Sequence, residues 1–298
     1  MSQPLLPDAA RSTSPTYAAA WLADESLEQL NERIHDGVPV DKLLDRARTY
    51  RDWLFGAFPE AAPTSGAAVM ELGSGVGWIM EAMLEKYPFE SITGLDISAN
   101  MIKRAQERFS DPRADFVLYD GQTMPFPDDH FQVIYSVAAM QHVEKHAAFL
   151  LFEELYRSLA PGGHAVIHLL AVEHIPDAPE DYHTQCLWHV HNEPTHWHHY
   201  YAFDELFVLF SQVIGVSDFD LVYEGKSFLV HFSKGGRDRY RRESLPAERY
   251  PARLAASAQP AAPAAPEPVN YRDPRAWVPD ALKPLARRLR RLANRTPA

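Results

Sequence analysis

The residues best placed to do chemistry in this chain are carboxylates set at intervals beside a glycine loop. Glu71-Leu72-Gly73-Ser74-Gly75-Val76-Gly77 follows a short apolar run and precedes a helical pattern. At such a turn the chain bends sharply, and a ligand can approach the backbone without intervening Cβ atoms. A dinucleotide fingerprint needs its third glycine three residues after the second. Trp78 stands at that position, and the third glycine comes one residue early, at Gly77. Glu71 would repel a pyrophosphate there and attract a cation such as an ammonium or a sulfonium. Asp96 closes the next apolar run, about 20 residues past the loop, the offset at which an acid receives ribose hydroxyls. Asp120, in Tyr119-Asp120-Gly121-Gln122, closes a third, where an acid and an amide could bond the exocyclic amine of adenine. Together they describe a pocket for a nucleoside with a positive tail and no phosphoryl group.

Histidines form a second constellation. His142 follows the fourth strand pattern, at the rim where ligands of open α/β sheets bind. Its imidazole could accept a proton near pH 7, or it could simply order its loop. The segment Asp181–Tyr201 holds His183, His189, His191, His196, His198 and His199 with Trp188, Trp197, Tyr200 and Tyr201. Lying between the fifth strand and the last helix, it should overhang the same rim as a lid spanning 171–201. Its rings could line an apolar substrate or a sugar, and His198 or His199 could serve as a base. Packing of a solvated loop is the plain alternative. A metal site would need three or four converging ligands, and no helical spacing here supplies them, so none is assigned.

The elements that position these residues alternate. Strand patterns at 67–72, 92–96, 116–120, 131–136 and 165–170 are separated by helical patterns at 78–87, from Ser98 onward, and at 146–159. Ser98 suits a helix N-cap. Repeated strand–helix units predict a parallel sheet covered on both faces. The end differs: a helix over 203–212 precedes strands at 218–223 and 228–232, joined by a turn too short for a parallel crossover. The last pair must therefore be antiparallel. Upstream, 17–62 reads as a helical cap of two amphipathic helices, with Leu43, Leu44, Ala47, Tyr50, Leu54 and Phe58 at helical spacing in the second. Residues 1–16 read as a disordered leader without the features of a secretory signal.

Glu71–Gly77, Leu95-Asp96-Ile97-Ser98, Asp120-Gly121 with Met124-Pro125-Phe126, Phe131–Ser136, Gln141-His142-Val143 and Leu159-Ala160-Pro161-Gly162-Gly163 occur in this order. Their spacing resembles the class I S-adenosylmethionine-dependent methyltransferases, particularly the branch with ubiquinone, menaquinone and other small-molecule methyltransferases. The resemblance is close over about 67–170 and looser over the closing hairpin. It implies a Rossmann-like doubly wound α/β sheet of seven strands, mostly parallel with one antiparallel strand, in a domain spanning 63–234. It implies S-adenosyl-L-methionine as cofactor. Glu71, Gly73, Gly75 and Gly77 would surround its methionine part, and Asp96 its ribose, with Ile97 beside the adenine. Asp120 and Gly121 would meet the adenine edge, and Ser136 would line the cofactor. Trp78 departs from the smaller residue usual there, and the histidine-rich segment has no counterpart.

The expected activity is methyl transfer to a small molecule, at an oxygen of a glycan, lipid-linked or specialised-metabolite acceptor. The rivals are a non-catalytic cofactor-binding protein and a nicotinamide-dependent oxidoreductase of related topology. The 298 residues carry a formal charge of −11, which argues against nucleic acid as a partner. Cys186 is the only cysteine, so no intrachain disulfide forms, and no apolar run approaches the roughly 20 residues of a membrane span. These features suit the cytoplasm. The tail, 235–298, combines arginines, an alanine- and proline-rich linker, and a basic amphipathic helix near 277–295. That helix could lie on an anionic membrane surface, pack on the acidic body or recruit a partner. Oligomeric state is not legible.

Overall fold

A computed structural model describes residues 21, 25–35, 38–172, 175, 198–216 and 219–235. The leader, most of the expected lid (His183, His189, His191 and His196 included) and the basic tail with its terminal helix lie outside the described residues.

Helices α1 (Leu27–His35) and α2 (Val40–Ala57) form the cap. They are followed by β1 (Ala68–Leu72), α3 (Trp78–Lys86), β2 (Ser91–Asp96), α4 (Ala99–Arg108) and β3 (Ala114–Leu118). Next come β4 (Phe131–Ser136), α5 (Lys145–Ser158), β5 (Leu159–Ala171) and the two-residue β6 (Tyr200–Tyr201). Helix α6 (Phe203–Phe207) and the hairpin β7 (Phe219–Glu224) and β8 (Ser227–Ser233) close the domain.

The main strands lie in the order β3-β2-β1-β4-β5-β8-β7. Only β8 runs against its neighbours; β1, β2, β3, β4 and β5 pair in parallel, and β7 returns to their direction. The expected mostly parallel α/β sheet with a single antiparallel strand is therefore present. The short β6 adds a parallel pair beside the end of β5. The central strands are largely apolar and largely buried because helices cover both faces. Strand order reverses between β1 and β4, and a crevice opens at such a switch point beyond the strand ends.

Helix α2 has two jobs along one stripe. Leu54, Phe55 and Phe58 just beyond it pack with Val69, Val133, Tyr135 and Val166 of the sheet. Its outer face is clamped to α3. The guanidinium of Arg51 donates to the Ala82 carbonyl at 2.8 Å, Arg48 pairs with Glu85 at 2.6 Å, and Asp52 pairs with Lys86 at 2.6 Å. The cap is thus bound to the sheet through its second half, which holds its first half over the crevice.

Three expectations need correction. Strand β3 ends at Leu118, two residues before the expected end. Asp120 instead makes a turn in which its Oδ1 accepts the N–H groups of Gln122 and Thr123, both at 2.8 Å. A short acidic side chain offers the backbone this alternative to the ladder. Strand β5 starts six residues early, at Leu159, and its pairing with β4 shifts register between Phe131 and Val133, with Gly162 at φ +75° in the irregular stretch. The last helix is α-helical only to Phe207 and continues as a π-helical turn over Val208–Ile214. There Ser211 donates its hydroxyl to the Phe207 carbonyl at 2.6 Å, a bond that competes with the regular ladder.

Candidate active site

A cavity of about 210 Å³ lies over the ends of β1, β2 and β4. Its floor is Glu71 to Val76 with Asp96 and Ile97, and one wall is the loop Val137–Val143 after β4. Its roof is the cap: Leu27, Leu30 and Asn31 from α1, and Leu43, Arg46 and Tyr50 from α2.

The loop after β1 is held against β2, with the Gly73 N–H donating to the Leu95 carbonyl at 2.7 Å. Gly75 has φ +53° and open space where a Cβ would point, so the backbone itself faces the cavity. Gly77 caps α3 at φ +84°, and a Cβ there would lie 2.6 Å from the Phe109 ring. It shapes the turn and does not line the cavity.

Glu71 is 2 % exposed and accepts the Tyr135 hydroxyl at 3.0 Å. Burial pushes its carboxyl well above the usual range, the Tyr135 bond opposes this, and the charge of Asp96 adds to it. The Tyr135 phenol is itself pushed up by burial and by Glu71. Asp96 is raised by burial too, against N–H groups that favour its charge. Its Oδ2 accepts from Gly75 at 2.8 Å and its Oδ1 from Ser98 at 2.9 Å. Asp96 thereby ties the glycine loop to the start of α4, where Ser98 caps the helix by accepting the Met101 N–H at 3.3 Å. Among the described residues neither acid pairs with a lysine or arginine. Two buried carboxylates facing one cavity are what a cationic guest would relieve; at about 4 Å and an effective dielectric near 20, one such contact gains about 4 kcal/mol.

Among the described residues, three buried polar atoms that line the cavity have no hydrogen-bond partner: Ser74 Oγ, Trp78 Nε1 and Asn31 Oδ1. Unsatisfied buried groups cost roughly 1–3 kcal/mol each, so a polar ligand that meets them binds favourably. Trp78 is fixed by Arg108, whose guanidinium carbon lies 3.6 Å from its ring centre and which also pairs with Glu81. The carboxylates, the bare loop backbone and these orphaned atoms fit S-adenosylmethionine, which carries an ammonium, a carboxylate and a sulfonium together.

The other expected site residues divide. Ile97 and His142 line the cavity. The His142 ring lies 5.2 Å from Trp21 and 5.0 Å from His198, centre to centre, and the His199 N–H donates to the Gln141 carbonyl at 2.7 Å. The start of the expected lid's return is thus anchored to the loop after β4, with His198 and His199 behind His142. Asp120 is exposed and, with Gly121, is not among the residues lining the cavity; Tyr119 takes that place. Ser136 is fully buried and spends its hydroxyl on the Leu72 carbonyl at 2.9 Å, joining β4 to β1. Its hydroxyl serves the sheet, and it is not among the residues lining the cavity.

Sequence reasoning missed Trp21, Asn31, Arg46, Tyr50 and Tyr119, whose roles come from packing across the chain. It also missed Ala138, a non-glycine residue at φ 56° on the cavity wall. Its N–H donates at 3.0 Å to Nδ1 of His168, whose Nε2 lies 2.8 Å from the Ser227 hydroxyl. Burial lowers His168 to about 4, so the neutral ring holds this strained turn at neutral pH. Glu60, Asp220 and His231, which could converge on a metal, lie outside the cavity.

Residues 69–163 match a family model described as a methyltransferase domain. The chain is 31 % identical over 127 residues to the ubiquinone/menaquinone biosynthesis C-methyltransferase of Desulfotalea psychrophila, covering 43 % of this chain and 50 % of the relative. It is 28 % identical over 152 residues to the fatty-acid O-methyltransferase of Mycolicibacterium smegmatis, covering 50 % and 54 %. The chain therefore spans about half the length of these relatives. A solved S-adenosylmethionine-dependent methyltransferase from Mesorhizobium loti shares the fold, with a TM-score of 0.50 and 20 % identity over 64 % of this chain and all of that one. Residues 69–163 thus match a methyltransferase domain, and the glycine loop, the acidic strand ends and the single antiparallel strand resemble those of the class I S-adenosylmethionine-dependent methyltransferases.

Proposed function

We propose that the protein transfers a methyl group from S-adenosylmethionine to an oxygen of an apolar, lipid-like small molecule. The observation that carries this is the pair of buried, proton-favouring carboxylates, Glu71 and Asp96, on one side of a cavity whose other walls are mostly apolar. The cofactor supplies an electrophilic methyl on a sulfonium. Glu71 would hold its cationic amino-acid end, with Gly73 and Gly75 giving backbone access and Gly77 setting the turn. Ser74, Asn31 and Trp78 offer their orphaned atoms to the same end. Each oxygen of Asp96 keeps a lone pair for a ribose hydroxyl beyond its N–H bond. Ile97 and Tyr119 would flank the base, with Asp120 and Gly121 shaping the turn beside it.

The roof of α1 and α2 excludes water and holds the acceptor, and positioning of this kind supplies much of the rate in a displacement. For a hydroxyl acceptor His142 is a cavity-lining group able to take the proton, with the His198 ring beside it and His35 a second imidazole on the lining. The fatty-acid O-methyltransferase supports an apolar acceptor more than a glycan. A lipid-linked acceptor would also give the basic segment near 277–295 a purpose at an anionic membrane surface.

Two measurements test this. Calorimetry should detect S-adenosylmethionine and not NAD, and Asp96→Ala should weaken binding by roughly 1.5–3 kcal/mol, the worth of hydrogen bonds to a charged group. Incubation with methyl-labelled cofactor and a lipid extract should place label in a small organic-soluble product. NAD binding alone, or cofactor binding with no labelled product, refutes the reading.

A further inference from the structure

We propose that Glu60, Asp220 and His231 form a binding site for a divalent ion of the zinc class, outside the cavity over the strand ends. The site stands independently of the reaction assigned to that cavity.

The sheet supplies two of the three donors. Asp220 on β7 and His231 on β8 are direct partners across an antiparallel pair, and side chains at such positions share one face of the sheet. The third comes from the helical turn Pro59–Ala61 that follows α2. Phe58, just before that turn, stacks on the His231 ring at 4.7 Å between centres, and Glu60 reaches the same ring from its edge. The donor atoms of the three residues all lie within 4.8 Å of one another. His231 Nδ1 is 3.9 Å from Glu60 Oε1 and 4.0 Å from Asp220 Oδ2. Those separations are too long for hydrogen bonds. An ion bound at about 2.0–2.2 Å from each donor holds its donors about 3–4 Å apart, so it fits after small side-chain movements.

A second observation comes from His231 itself. Its side chain is only 6 % exposed, and its Nδ1 makes no hydrogen bond among the described residues. A buried polar atom left in that state costs free energy that a bound cation recovers. The other ring nitrogen is set for such a role. Nε2 lies 3.1 Å from His164 Nδ1, with ring centres 5.3 Å apart and ring planes within 18°, the geometry of an in-plane bond. With the proton on His231 Nε2 and donated to His164, the Nδ1 lone pair is left for the ion. Metal-ligating histidines are oriented in this way, through the ring N–H on the far side. Asp220 is buried too, and buried acids are paired or coordinate metals. Glu60 is exposed and gives the ion a route from solvent. One imidazole and two carboxylates without a thiolate suit a first-row divalent ion, whereas magnesium and calcium prefer oxygen alone. Water completes the shell of an ion with three protein donors. The ion pins the turn after α2 to the closing hairpin.

The test uses the full chain, stripped with a chelator and exchanged into chelator-free buffer. Zn²⁺ affinity is read by competition with a chromophoric chelator, and Mg²⁺ and Ca²⁺ by calorimetry. Zn²⁺ should bind at least about tenfold more tightly than either. Glu60→Gln should weaken Zn²⁺ by at least about tenfold, and His164→Phe, which removes the outer hydrogen bond, by about 10–100-fold. Zn²⁺ should raise the thermal midpoint of the wild type and not that of Glu60→Gln, because an ion that binds only the folded chain stabilises it. The histidine-rich segment is the competing Zn²⁺ ligand, so His189→Ala with His191→Ala serves as the control and should leave the midpoint shift intact. No Zn²⁺ binding, tighter Mg²⁺ or Ca²⁺ binding, a midpoint shift that survives Glu60→Gln, or one lost in the His189 and His191 control overturns the proposal. Glu60 is exposed, so its variant decides even if a buried one fails to fold.

Discussion

Glu71 shows how one side chain can be costly to the empty protein and valuable to the loaded one. Its folded-state carboxyl is raised above the ordinary value of 4.5 by burial, so the native state keeps its proton to higher pH than the unfolded chain does. Between those two values the native state binds more protons, and stability falls as pH rises. Glu71→Gln, which cannot ionise, should remove that fall. The ligand-free variant should be more stable than wild type at pH 8 and nearly equal to it at pH 4, by urea unfolding at each pH. The same variant should lose at least about tenfold in S-adenosylmethionine affinity, since the neutral amide forfeits the charge attraction. A variant less stable than wild type at pH 8 would mean that Glu71 is ionised and compensated in the empty protein. Asp96 is raised by burial as well, but its N–H partners oppose the shift and make it part of the loop's scaffold.

At the scale of elements, α2 carries most of the consequence. Its second half is core and its first half is roof, so a change in one reaches the other. Leu54 is fully buried between the helix and the sheet. Leu54→Ala should cost roughly 2–5 kcal/mol, the span for leucine truncations that leave a cavity. The urea midpoint of the variant gives the value, and a loss under 1 kcal/mol would show that the cap docks loosely. The β4–β5 pair has a comparable device. The His168 ring on β5 reaches the loop after β4 and holds Ala138 in a conformation its side chain disfavours, which aims Val137 to Met140 at the cavity.

For the whole molecule, binding and stability are linked. The cavity joins the cap, the glycine loop and the loop after β4, so a ligand there stabilises all three against unfolding. At a free S-adenosylhomocysteine concentration of about 100 Kd the unfolding free energy should rise by about 2.7 kcal/mol, if the unfolded chain does not bind. Thermal or urea unfolding at graded ligand concentration measures it, and an unshifted midpoint would mean that the ligand does not select the folded cavity. No helix among the described residues is long and apolar enough to cross a membrane.

The sequence by itself determined the alternation of strands and helices, the turn at Gly73 to Gly77, the Ser98 cap and the antiparallel close. Each is written in local periodicity or in residues such as glycine and serine whose backbone preferences act within a few positions. It also placed Glu71 and Asp96, because strand ends next to a glycine loop have few possible environments. Only the tertiary structure decided which side chains share the cavity. It gave the Ser136 hydroxyl the Leu72 carbonyl across a strand pair and closed the Asp120 carboxylate on its own turn, with neither lining the cavity. It brought in Arg46, Tyr50 and Trp78 at one site. Convergence of that kind depends on how α2 docks on the sheet, and docking is set by summed contacts between segments far apart in the chain, which no local pattern encodes.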